Sequence, residues 1–89
     1  MTWQIGFSRR ALQFLKHNHL NESFVIDIIK LALQKFAGED ISVSIKRLGG
    51  SWEGFYRIRS GKLRTIIEFQ FDGHYAYIEA IDWRGNAYK

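Results

Sequence analysis

The sequence predicts a single α+β domain: an N-terminal strand, a helical hairpin, then an antiparallel three-stranded meander, with the helices on one face of the sheet. Three observations predict it. The hydrophobic period is two over residues 2–7, becomes helical over residues 9–37, and returns to aromatic and β-branched runs after Gly54. Two short glycine-containing breaks, Ser60-Gly61 and Asp72-Gly73, cut the last third into three segments of strand length. The chain has 89 residues, no proline, no repeat and no stretch resembling a linker, so residues 1–89 are read as one domain.

Each element has a local reason. Trp3, Ile5 and Phe7 alternate with Thr2, Gln4 and Gly6, as in a strand with one buried face. Ser8 stands where a helix N-cap belongs, ahead of a stripe formed by Ala11, Leu12, Phe14 and Leu15 that fades at His17-Asn18-His19. Asn21 and Ser23 offer a second cap. Val25, Ile28, Ile29, Ala32, Leu33 and Phe36 then recur at helical spacing up to Gly38, a suitable C-terminal stop. The short joint between the helices implies an antiparallel pair. Ile41, Val43 and Ile45 alternate with serines, as in a short strand, and Leu48-Gly49-Gly50-Ser51 reads as loop. Residues 54–59, 62–71 and 74–83 read as the meander. Short hairpin loops favour laying both helices on one sheet face and leaving the other open.

Composition narrows the chemistry. With no cysteine, disulfides, thiolate metal sites and thiol nucleophiles are excluded. No His, Asp and Glu cluster has convincing metal-ligand spacing, and no glycine-rich loop of nucleotide-binding type is present, so no metal or other cofactor is expected. No apolar run approaches the roughly 20 residues that span a bilayer. Met1-Thr2-Trp3-Gln4 is not a basic stretch followed by an apolar one, so a cytoplasmic protein is expected. Thirteen Lys and Arg against nine Asp and Glu give a net charge of +4, which favours a polyanionic partner without naming it.

The turns set which side chains share a face. If Ser60-Gly61 and Asp72-Gly73 are two-residue loops, Arg59 lies opposite Lys62 and Arg57 opposite Arg64, all on one face. Tyr56, Ile58, Leu63, Thr65 and Ile67 take the other. In the second hairpin Phe69 pairs with Ala76, Ile67 with Ile78 and Thr65 with Ala80. The open face then continues as Glu68 opposite Tyr77, Ile66 opposite Glu79 and Arg64 opposite Ile81, with Trp83 opposite Lys62. Like charges directly across a sheet cost about 0.2–1 kcal/mol per pair. A small domain gathers them either as a solvated face of splayed side chains or as an anion site. Arginine suits the second, because its planar fork matches phosphate. The tail Trp83-Arg84-Gly85-Asn86-Ala87-Tyr88-Lys89 leaves beside this face and offers one more guanidinium and a phenol that stacks on a base or donates a proton.

The run from Leu48 to Ile67, with Gly54-Phe55-Tyr56-Arg57-Ile58-Arg59, a turn, and Leu63-Arg64-Thr65-Ile66, resembles the central segment of the RelE/ParE superfamily of toxins from type II toxin–antitoxin systems. Ile81-Asp82-Trp83-Arg84-Gly85-Asn86-Ala87-Tyr88 resembles that family's closing strand and Arg-x-x-x-Tyr tail. The order of elements is similar too, so the resemblance covers nearly the whole chain. It implies the RelE-like microbial ribonuclease-type fold and a toxin of the RelE branch, which cuts messenger RNA in the ribosomal A site and stops translation. It also implies a cognate antitoxin, a toxin–antitoxin hetero-oligomer, and contact with ribosome and mRNA.

Carried over by position, Arg57, Arg59, Arg64, Arg84 and Tyr88 are the catalytic candidates, and Lys46, Arg47 and Lys62 the peripheral RNA contacts. Several ribonuclease members carry lysines at the positions of Arg57 and Arg59, many carry Tyr at that of Leu63, and the tail histidine of some relatives has no counterpart. Metal-free RNA cleavage needs a base for the 2′-hydroxyl, cations for the phosphorane and an acid for the leaving oxygen. Arginine holds its proton too tightly to be the base. Glu68, Glu79 or a ribosomal group is the candidate base, Tyr88 the candidate acid, and either glutamate serves equally as charge compensation. A ParE-like gyrase inhibitor and a catalytically inactive relative that binds antitoxin or RNA are the alternatives.

Overall fold

Ser8 and Asn21 start the two helices. The Ser8 hydroxyl accepts from the Ala11 amide at 3.1 Å, and the Asn21 side chain accepts from the Ser23 amide at 2.9 Å. Both helices end in the same way. After α1 (Arg9–His17), His19 adopts φ 55°, the Leu20 amide donates to the Leu15 carbonyl at 2.8 Å and the His19 amide to that of Lys16 at 3.2 Å. After α2 (Glu22–Phe36), Gly38 at φ 95° makes the matching pair of bonds, Glu39 to Gln34 and Gly38 to Lys35. These are Schellman closures, and the left-handed residue in them is normally glycine.

The computed structural model describes residues 2–83. The strands are β1 (Gln4–Phe7), β2 (Ser44–Arg47), β3 (Phe55–Ser60), β4 (Leu63–Gln70) and β5 (Tyr75–Trp83), with one 3-10 turn at Gly50–Trp52 before β3. They form one mixed sheet in the order β1-β5-β4-β3-β2. β1 runs parallel to β5 and the other pairs are antiparallel. The helical hairpin and meander stand as the sequence predicts. The short strand expected from Ile41 begins instead at Ser44 and forms the far edge.

The helices cover one face. Ala11 and Leu15 of α1, and Val25, Ile28, Ile29 and Ala32 of α2, close over Ile58, Leu63, Ile67, Phe69, Ala76, Ile78 and Ile81 of the sheet. Trp3, Ile5 and Phe7 of the first strand segment pack against the same core. Each fully buried isoleucine there contributes about 1.5–3 kcal/mol relative to exposure.

The opposite face is not uniformly open. Ile66 and Ala80, at 0% and 5% exposure, form a second small cluster capped by Leu48, Trp52 and Phe55. The sequence reading leaves this face open, with Ile66 on it. An isoleucine at its centre must be shielded from water, and the β2–β3 loop folds over to do so.

Candidate nucleic-acid interface on the second sheet face

Two register details decide which side chains meet. The first is the β3–β4 turn. Arg59 pairs with Arg64 and Ser60 with Leu63, so the loop is Gly61-Lys62, not Ser60-Gly61. Gly61 has φ 60°, while Lys62 is not in the left-handed region. That is the pattern of a type II′ turn, whose first central residue is best as glycine. The expected loop would have placed Ser60 at that position. The shift moves the pairing by two, so the arginines keep a common face, but Arg57 now lies opposite Ile66. Lys62 sits exposed in the turn, and Trp83 lies opposite Leu63.

The second detail is in β5. From Gln70–Tyr75 to Ile67–Ile78 the register is as predicted, and then it shifts between Ile66 and Ile67. Ile66 pairs with Ala80, Thr65 with Ile81 and Arg64 with Asp82, so Glu79 is the extra residue of a β-bulge. Three contacts hold it. The Ser8 hydroxyl donates to the Glu79 carbonyl at 2.6 Å, Arg10 Nε donates to the same oxygen at 3.1 Å, and the Arg10 guanidinium stands 3.5 Å from the Glu79 carboxylate. The expected Ile66–Glu79, Arg64–Ile81 and Thr65–Ala80 pairs are thereby replaced.

The resulting face has tiers. One runs Ser44, Arg59, Arg64, Asp82 from β2 to β5, and the next runs Lys46, Arg57, Ile66, Ala80. Arg57, Arg59 and Arg64 are half-buried and Lys46 is exposed. The Nε of Arg64 is buried and hydrogen-bonds to nothing among the described residues. Facing residues are about 4.5–5.5 Å apart at Cα, close enough for adjacent guanidiniums to share one phosphate. A third tier holds Phe55, Glu68, Tyr77 and Gly6, and a fourth holds Gln70, Tyr75 and Gln4.

The other sequence candidates separate accordingly. Lys46 joins the cationic tiers. Arg47 pairs with Tyr56 and so belongs to the helix-covered side, because strand residues alternate. Glu68 lies beyond the Ile66–Ala80 cluster from the Arg59–Arg64 pair, and Glu79 is engaged by Arg10. Neither glutamate directly faces the paired arginines. The carboxylate that does is Asp82, whose Oδ1 accepts from the Trp83 amide at 2.7 Å. Asp82 escapes the sequence reading, because a one-residue bulge has no period to betray it, whereas Tyr77 stands opposite Glu68 as expected and Tyr75 shares its face. Arg84 and Tyr88 lie outside the described residues. Among the described residues no three His, Cys, Asp or Glu side chains gather as a metal site, and no helix is long and apolar enough to cross a membrane.

No family model matches the chain, and no curated protein sequence does. Solved structures do match in shape. A chain of the archaeal RelE–RelB complex from Pyrococcus horikoshii superposes with a TM-score of 0.66 at 18% identity, over 98% of this chain and 100% of that one. YafQ from E. coli gives 0.63 at 11% identity, over 93% and 94% of the two chains. The toxin–antitoxin complex RelBE2 from Mycobacterium tuberculosis gives 0.59 at 19% identity, over 94% and 100%. Matched almost end to end, this chain has the RelE-like toxin fold.

Proposed function

We propose that this chain is the toxin of a type II toxin–antitoxin pair, acting in the cytoplasm, and that it stops translation by cutting messenger RNA on the ribosome. The observation that carries the reading is the direct pairing of Arg59 with Arg64, with Arg57 and Lys46 in the next tier of the same face. Two arginines facing each other across a ladder present their planar forks to one anion. The shared fold with the toxin structures supports the same reading.

In the reaction, the 2′-hydroxyl of the substrate attacks its own 3′-phosphate, and the bond to the 5′-oxygen of the next nucleotide breaks. Arg59 and Arg64 hold the non-bridging oxygens and offset the charge of the phosphorane, with Arg57 and Lys46 anchoring a neighbouring phosphate. Arg84 and Tyr88 are proposed from the sequence as a further clamp and as the acid that protonates the leaving oxygen. Asp82, opposite Arg64, replaces Glu68 and Glu79 as this chain's candidate for accepting the 2′-hydroxyl proton, with a ribosomal group as the alternative acceptor. The antitoxin is proposed to lay an acidic segment over the cations.

Controlled expression with mapping of messenger RNA 5′ ends tests this. Wild type should arrest growth and create new ends within coding sequences, and Arg64→Ala should reduce them by about 10²–10³-fold, the usual effect of removing one transition-state donor. Growth arrest without new ends, undiminished in Arg64→Ala, would remove the ribonuclease reading. Inhibited supercoiling in a gyrase assay would then favour the ParE-like alternative.

A further inference from the structure

Two side chains at the far end of the same face have no part in that mechanism. Tyr75 and Tyr77 project from one side of β5, and their rings stack with centroids 6.4 Å apart and planes 25° from parallel. Both are half-buried. The neighbouring strand has Gly6 beside them, and the Tyr75 ring lies across it. A Cβ on Gly6 would collide with the Tyr75 hydroxyl and sit 3.2 Å from its Cζ and 3.3 Å from Tyr77 Cδ1. A strand interior gains nothing from glycine's freedom, so this close approach is its structural use. It lets the hydroxyl end of Tyr75 come close over the β1 backbone.

We propose that Tyr75 and Tyr77 form a stacking shelf for one base of single-stranded RNA, whose backbone runs on to the arginine tiers. This deepens the reading above and rests on it. Charge says why a base, and not a phosphate, lies there. Glu68 pairs directly with Tyr77 and repels phosphate, while its oxygens accept hydrogen bonds from an exocyclic amine. The cations lie at the other end of the face, and Glu68 and Arg64 are four residues apart on β4, about 14 Å along the strand. That separation exceeds one nucleotide, so the stacked base flanks the cut and does not belong to the scissile step. Sequence-tolerant stacking on aromatic platforms beside a cationic track is the common physics of single-strand binding.

The test uses short single-stranded RNAs with 2′-O-methyl groups to block cleavage, each carrying one 2-aminopurine, whose fluorescence falls on stacking. With wild type, one position should be quenched. Tyr75→Leu and Tyr77→Leu should abolish that quenching and weaken binding about tenfold, within the range for one base–aromatic stack. Tyr75→Phe should restore both, and Gly6→Ala, which displaces the ring without removing it, should reduce the quenching. Circular dichroism confirms that each variant is folded. RNA that binds with the same quenching in both leucine variants overturns the shelf and leaves the arginine face standing. No binding by wild type even at low salt overturns the shelf, and the mapping of messenger RNA ends with Arg64→Ala decides the arginine face separately.

Discussion

Single residues carry strain and function in different places. His19 closes α1 in the left-handed region, at φ 55°, where its counterpart after α2 is Gly38. A non-glycine residue there costs about 1–2 kcal/mol, offset by the greater unfolded-state freedom of glycine, about 0.4–1 kcal/mol. His19 is exposed. His19→Gly should therefore stabilise the domain by up to about 1 kcal/mol, raising the melting temperature by about 4–8 °C in a domain of this size. A thermal melt reads this directly, and an unchanged or lower midpoint would show that the histidine side chain holds something in place. The candidate arginines were legible, because Arg57 and Arg59 alternate along one strand-like run and Arg64 follows across a short glycine-containing turn. Asp82 was not legible, since its place opposite Arg64 depends on a bulge three residues earlier.

At the scale of elements, hairpin register is the sensitive quantity. Both meander turns are visible in the sequence as glycine-containing breaks. Their type is not, since Ser60-Gly61 and Gly61-Lys62 both satisfy a two-residue loop and only the sign of φ at each position separates them. The shift of two leaves every side chain of β3 and β4 on its predicted face, which is why the cationic face survives the error. The bulge at Glu79 is an element-level device in its own right. Ser8 joins α1 to it, accepting from the Ala11 amide and donating to the Glu79 carbonyl. Ser8→Ala removes the cap and one of the two bonds to that oxygen, and should cost about 1–2 kcal/mol. The expected readout is a lower urea midpoint with an unchanged slope. Arg10→Ala should cost less, under about 1 kcal/mol, because its ion pair with Glu79 is half exposed.

For the whole molecule, the helical hairpin over a meander was readable from period and turn signals, and the sheet order was not. Nothing in the alternation of Trp3, Ile5 and Phe7 says that this strand pairs beside β5 and parallel to it. Nor does local sequence show that Leu48 and Trp52 fold back over Ile66, which divides the second face into a cationic end and an aromatic end. That division has a measurable sign. Association with RNA or ribosomes should weaken steeply with salt, the slope of log affinity against log salt counting the phosphates neutralised. Lys46→Ala should lower that slope by about one, whereas Tyr75→Leu should lower affinity and leave the slope unchanged. A flat salt dependence in the wild type would argue against docking through the arginine tiers.

The parallel contact between β1 and β5 also bears on when the domain can close during synthesis. The first strand and its helix find their partners only in a segment made some seventy residues later, as the Ser8–Glu79 bond spans 71 positions. Such distant pairing slows folding, since long loops must close before any contact rewards them. A nascent chain therefore cannot complete the sheet until β5 has left the ribosome that made it. Under the proposed function, the ribosome that makes the chain would finish its work before the closed domain could act on it.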